Sequence, residues 1–243
     1  FPRTHNSCFS SSVLAAAELI THLEFYIDLM NIIEFSKSSP ALTNVENNLW
    51  SALWDPPTLV ELVVVIFYYQ AIGHPCVWWT ENTNALDLGP LHAEVCDHLH
   101  VLINDPLLLT ATDASHVTGS LDEQSWEDLA AMKAALELLP TLQHVHEILI
   151  PFLQGALTTW VRFSAEFAPG GLIDEATATK RQLAWMPSTN NANESMLGSY
   201  HVHIQNKPSM TLHQYNAEAM YRQNDTQVSI DVVFEVPDYQ YIM

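Results

Sequence analysis

Apolar residues recur along most of this chain at the three- and four-residue spacing of an amphipathic helix. Over residues 10–35, Leu19, Ile20, Leu23, Tyr26, Ile27, Met30 and Ile33 fall on one broad stripe behind a serine run that offers caps. Ser38-Ser39-Pro40 ends that helix. Thr43-Asn-Val-Glu46 has the capping-box form and starts a short helix with Trp50 and Trp54 one turn apart. Asp55-Pro-Pro57 stops it. Thr58-Leu-Val-Glu61 repeats the box ahead of Leu59–Ile72, a run apolar nearly all round and so a buried central helix. Its Val63-Val-Val-Ile66 core would equally suit a strand, but the cap and a length of about four turns favour helix. Gly73-His-Pro75 ends it.

Further helices are expected over 88–104 (capped by Asp87), 125–139, 142–167 (kinked or split at Pro151), 173–184 and from Thr211 to about Asn224. Thr211-Leu-His-Gln214 is another capping box. Residues 76–87, with Trp78 and Trp79, read as a loop. Residues 105–124 read as a long polar loop, functional or mobile by its length. The tail alternates Val228, Ile230, Val232, Phe234 and Val236, a strand period, and its conformation stays open. The pattern as a whole predicts a mainly α chain.

Charge narrows the function. The formal net charge is −20, with nineteen acids and three bases before Ala156 and nine and five from there on. Such a surface repels phosphate backbones, so strong DNA binding by this chain alone is not expected. Cys8, Cys76 and Cys96 lie far apart with no C-x-x-C, which excludes a disulfide framework and suits a reducing compartment. The Leu59–Gly73 run is too short to span a bilayer and carries Glu61, so no membrane partner is expected. No nucleotide-binding, zinc-protease or nucleophile-elbow motif occurs.

Two stretches carry candidate chemistry. Ser188-Thr-Asn-Asn-Ala-Asn-Glu194 is polar, follows Trp185-Met-Pro187 and precedes Met196, Leu197, Tyr200 and Ile204 at helical spacing. Glu194 therefore falls in or just before a first helical turn, where the dipole favours an anion. It either caps that helix or serves as a metal-binding carboxylate on a rigid element. His92, Cys96 and His100 recur at i, i+4 and i+8, a face with zinc-type donors, although one helix cannot close a tetrahedral site. The pairs His98/His100, His144/His146 and His201/His203 point to different helix faces and chelate poorly.

Several blocks resemble transposon-encoded proteins of mushroom-forming fungi. They are Gly155-Ala-Leu-Thr-Thr-Trp-Val-Arg-Phe-Ser164, Phe167-Ala-Pro-Gly-Gly-Leu-Ile-Asp174, Met186-Pro-Ser-Thr-Asn190, Asn193-Glu194, Leu197-Gly198, Leu212-His-Gln-Tyr-Asn216 and Met220-Tyr-Arg-Gln-Asn-Asp-Thr226. The start, Thr4-His-Asn6 with Val13–Ile20, is similar too. By these blocks the chain resembles an RNase H-like transposase of the Asp-Asp-Glu type, with a long helical insertion before its third acid. The resemblance implies an acidic helical insertion over 1–168 and a C-terminal segment over 169–243, with the catalytic sheet largely absent. It implies Glu194 as the third acid, binding Mg or Mn with acids outside the chain. Asp28, Asp55, Asp87 and Asp105 are weak internal candidates that capping and solvation explain. Lys207 and Arg222 are the weak candidates for DNA phosphates. DNA would be a partner only of the intact protein, homo-oligomerisation is possible, and the location would be intracellular and nuclear. The chain thus reads as a fragment inactive alone. The alternative is a domesticated, non-enzymatic helical interaction module, which an exposed apolar face on the 10–35 helix would favour.

Overall fold

The computed structural model describes residues 9–36, 42–80, 83–189 and 191–235, with the side chains of 9–10 and 191–196 left out of account. It is mainly α: no strand occurs among the described residues, which show one isolated antiparallel bridge, Asn84 to Pro187. Contacts divide the chain into two compact units, Phe1–Ser188 and Thr189–Met243.

In the first unit the expected 10–35 helix is two helices, α1 (Phe9–Thr21) and α2 (Leu23–Ser36). The hydrogen-bond ladder persists across the break, His22 N–H to Glu18 at 3.1 Å and Tyr26 N–H to the His22 carbonyl at 3.0 Å. The halves serve different neighbours. α1 packs on the central helix, and α2 packs on α3 (Asn44–Trp54) around Tyr26, Met30 and Leu53. The Thr43 capping box forms as expected, with the Thr43 N–H donating to Glu46 at 2.6 Å. Trp50 and Trp54 meet edge to face at 5.9 Å.

Asp55 closes α3 and opens α4 (Pro56–Tyr68). Its carboxylate accepts from the Thr58 hydroxyl at 2.6 Å and the Thr58 N–H at 3.0 Å, and these bonds hold its pKa below the ordinary value. The Thr58 box is thus superseded: with Pro56 and Pro57 in the first turn, where no N–H is needed, the helix begins three residues earlier. The strand alternative for Val63–Ile66 falls away. Val60, Val63, Ile66, Phe67, Ala71 and Ile72 are all 0% exposed. The Val, Ile and Phe side chains among them contribute about 1.5–3 kcal/mol each, so together they outweigh any single cap or ion pair.

Gly73-His-Pro75 does not end this helix. A π turn, Tyr69–Gly73, leads directly into α5 (His74–Thr80), with the His74 N–H reaching back five residues to the Tyr69 carbonyl. A proline inside a helix cannot donate to the carbonyl four residues back and crowds it. For Pro75 that carbonyl belongs to Ala71, and it accepts instead from the Leu121 N–H at 2.8 Å. The wider turn resolves the clash without breaking the element. Trp78 and Trp79 are therefore helical, not in a loop. Among the described residues Pro56–Thr80 is the one helix long and apolar enough to cross a membrane, at 25 residues, which corrects the shorter span read from the sequence. Its apolar window is 67% buried inside the fold, as in a core helix.

α6 (Gly89–Asn104) starts after a 3-10 turn, Ala85–Asp87, and no side chain caps it; Asp87 is engaged elsewhere. The 105–124 stretch folds into α7 (Leu107–Thr110) and α8 (His116–Gly119) and is tied to the core through the Leu121 bond and the buried Trp126. α9 (Leu129–Leu138) begins four residues later than expected because Asp128 is its cap, accepting from the Ala131 N–H at 2.8 Å. The Asp128 N–H in turn donates to buried Gln70 of the π turn at 3.2 Å. α10 (Val145–Phe163) runs through Pro151 as a single helix and packs on α6 and α4. α11 (Ala178–Leu183), capped by Thr177, is shorter than the expected 173–184 helix.

The second unit holds α12 (Asn191–Asn206), α13 (Leu212–Gln223) and α14 (Thr226–Val233). The Thr211 box forms with Gln214. Tyr215 is the buried centre, with Tyr200 at 4.9 Å and His203 at 5.4 Å between ring centroids. The tail that alternates like a strand is helical over α14, leaving Val228, Val232 and Val233 exposed.

A Cβ added at Gly73 would lie 2.8 Å from Cδ2 of the buried Tyr69 ring. Gly73→Ala is expected to lose about 1–3 kcal/mol in urea unfolding despite alanine's better helix propensity. A stability equal to or above the parent's would show that the ring is free to move.

Candidate functional site

Glu194 is the fourth residue of α12, in the first turn of a sixteen-residue helix. Its side chain lies outside the described residues. Of the apolar stripe that predicted this helix, Tyr200 packs against Tyr215, while Leu197 and Ile204 are exposed.

Lys207 and Arg222 meet at one acid. Glu218 Oε2 lies 3.3 Å from Lys207 Nζ, 3.8 Å from an Arg222 guanidinium nitrogen and 4.0 Å from His203 Nε2. The spacing explains it: Arg222 follows Glu218 by one helical turn, and Lys207 begins the turn that reverses the chain into α13. Both cations are more than half exposed, so each pair contributes only about 0.2–1 kcal/mol. His203 Nδ1 stands 3.0 Å from the Ser199 carbonyl, where it donates. Its Nε2 then carries a proton toward Glu218 only when the ring is charged. Glu218 is therefore the hub of a surface cluster.

The His92 face does not assemble. The His92 ring lies against Phe167 at 4.6 Å and Trp160 at 5.4 Å between centroids, and burial holds its pKa down. Its Nδ1 is buried without a hydrogen-bond partner. Burial, and then Asp97, push the Cys96 thiol up, and His100 is exposed. Among the described residues no three His, Cys, Asp or Glu side chains are placed to hold a metal ion. Three histidines of the His-x-His pairs are engaged separately: His98 Nε2 with the Gly119 carbonyl at 2.9 Å, His144 with Glu147 at 2.6 Å, His146 with the Thr110 hydroxyl at 2.7 Å. The four internal aspartates are likewise scattered. Asp28 is exposed on α2, Asp55 caps α4, Asp87 pairs with Arg181 at 2.8 Å, and Asp105 accepts from the Leu107 N–H at 3.2 Å.

Two arrangements escaped the sequence reading. Buried Asn84 is a clamp for residues 169–188: it donates to the Arg181 carbonyl at 3.1 Å and accepts from the Met186 N–H at 3.3 Å. That stretch, assigned by sequence to the C-terminal segment, makes these contacts within the first unit. The second arrangement is an apolar cleft of about 780 Å3 between α1, α4 and α10, with Val13, Val65, Tyr68, Phe152, Trp160 and Phe163 in its walls. Trp160 Nε1 donates to the Tyr68 hydroxyl at 3.2 Å, and Tyr68 meets Phe152 edge to face at 5.4 Å, which fixes α4 to α10. A cleft built from three separated helices leaves no periodic signal. The Arg222–Glu218 pair, by contrast, was readable from its spacing.

No protein-family model matches this chain, and no curated protein or solved structure matches it either.

Cys76 is buried and its thiol is pushed up to about 12, chiefly by desolvation. At pH 8 roughly one part in ten thousand is thiolate, the nucleophilic form. Alkylation at pH 8, located by mass spectrometry, is expected to reach Cys76 only at the rate of unfolding. Labelling at the rate of an open thiol would show that the core admits solvent there.

Proposed function

We propose that this chain is the C-terminal part of an Asp-Asp-Glu transposase-like protein, inactive alone, in which Glu194 is the third metal-binding acid. The observation that carries this reading is the place of Glu194 on the first turn of α12, in a unit of three helices that includes the capped α13. A carboxylate on a rigid helix start is positioned by backbone rather than by a loop, as a metal ligand needs. In the intact protein it would join two acids of an RNase H-like sheet around two Mg or Mn ions about 3.5–4 Å apart. One ion activates water or a 3′-hydroxyl, and the other stabilises the leaving oxygen. Lys207 and Arg222, held beside Glu218, supply exposed positive charge on the same unit for a DNA phosphate.

One observation favours the second reading, a domesticated helical interaction module. Phe25, Ile32 and Phe35 lie exposed on α2, at 64%, 61% and 79%. Their spacing puts them along one side of the helix.

The test is magnesium-dependent nicking of a transposon-end substrate by an intact protein that includes this chain. Glu194→Gln is expected to lower the rate at least roughly a hundredfold with little change in melting temperature, because the lost charge matters only in the reaction. Asp231→Asn, on exposed α14, is the control and should leave the rate unchanged. Glu218 is unsuited to that role because it anchors three basic groups. Parent-like nicking by Glu194→Gln, or none by the parent, sinks the catalytic assignment and leaves the module reading.

For this chain alone, the net charge of −20 leads us to expect duplex binding no tighter than about 10⁻⁴ M at physiological salt. A tight, steeply salt-dependent gel shift would contradict it.

A further inference from the structure

The α10 side of the cleft is a mostly apolar stripe, in which the Thr159 hydroxyl donates to the Gly155 carbonyl at 2.8 Å. Pro151, Phe152, Gly155, Thr159 and Phe163 recur along it over three turns, about 18 Å of helix. Phe163 is 73% exposed and Phe152 37%. Gly155 sits in mid-helix, where glycine costs about 0.5–1 kcal/mol relative to alanine. A Cβ added there would meet nothing within 4 Å, so internal packing does not require this glycine. It keeps the floor of the groove low.

The cleft lining itself carries no charge, and two acids and one base lie near it. Glu61 stands one turn before Val65 on α4, and Glu147, which His144 Nδ1 meets at 2.6 Å, one turn before Pro151 on α10; both are exposed. The base on the rim, Arg162, lies over the Phe163 ring at 5.3 Å. The chain as a whole carries −20.

We propose that this cleft is a docking groove for a cationic amphipathic helix of a partner protein. A three-turn stripe matches the i, i+4, i+7 anchors of a helix laid in a groove. Phe152, Trp160 and Phe163 offer faces to apolar anchors, and Gly155 admits close approach of the incoming backbone. Glu61 and Glu147 select basic residues on the flanks and speed encounter. A second copy of this chain is the wrong occupant, since it brings the same −20 to the contact. The inference does not rest on the transposase reading. It concerns the first unit, and Glu194 plays no part in it.

The probe is a fluorescent synthetic peptide of leucine and lysine, about eighteen residues long, with its leucines on one helical face. It is titrated with the full chain at physiological salt and followed by anisotropy. Binding in the micromolar range is expected, with a Gly155→Leu variant weaker by at least about tenfold and no less stable to heat. Glu61→Lys, at an exposed site, is the second variant and should also weaken binding, whether or not Gly155→Leu folds. Four outcomes overturn the proposal: no binding by the parent; equal binding by a peptide of the same composition with its leucines scattered; equal binding by the leucine–glutamate counterpart; or parent-like affinity in both variants. Self-association of the parent in sedimentation, abolished by Gly155→Leu, would also overturn it by assigning the groove to a second copy.

Discussion

The first unit depends on one carbonyl. Pro75 deprives the Ala71 carbonyl of its helical donor, in the middle of the most buried element of the unit. An unpaired carbonyl there would cost about 1–3 kcal/mol. The Leu121 N–H removes that cost, and the π turn makes room for the proline ring. Two consequences follow. The helix continues to Thr80, and the 105–128 stretch is drawn onto it through Leu121 and through the Asp128 N–H on Gln70. Asp128 then caps α9, so the position of that helix also traces back to the π turn.

Around this axis the remaining helices divide by what they cover. α1, α9 and α10 close over α4, and their shared apolar cluster reaches Leu149 and Leu153 of α10. α2 and α3 form a smaller cluster of their own around Met30. Coverage is uneven: the groove between α1, α4 and α10 and the outer side of α2 keep large apolar side chains in water. The second unit is organised differently. Tyr215 is the buried side chain among its described residues, and α12 and α13 also meet through Glu218 and three basic groups. Exposed pairs of that kind add little stability, so among the described residues the capping box and Tyr215 contribute more.

The chemistry-bearing residues show the same dependence on context. His92 is turned into a packing residue by Trp160 and Phe167, which come from the far end of α10 and the turn beyond it. Cys76 is silenced by burial. Asp55 and Asp128 are occupied by helix N–H groups, and Asp87 by Arg181. Each of these side chains has the composition of a site and the surroundings of a structural part.

What the sequence by itself determined was local. The helical class, the Thr43 and Thr211 boxes and the Trp50–Trp54 contact depend on residues within about four positions of one another, and a helix presents those neighbours together whatever surrounds it. The failures lie where the partner is distant. Gly73-His-Pro75 reads as a stop until Leu121, nearly fifty residues on, takes the orphaned carbonyl. His92, Cys96 and His100 read as a donor face until α10 covers one end of it. The alternation of the tail left helix and strand open; over α14 its backbone bonds close within the helix, no strand exists among the described residues to pair with it, and Val236 lies outside them. Glu218 gains Lys207 and His203 beside its i,i+4 partner Arg222 only because the turn at Lys207 folds α12 back beside it. Local spacing selects the element. Which carbonyl is satisfied, which ring is buried and which charge is paired were decided only by the tertiary structure, because those partners come from elsewhere in the chain.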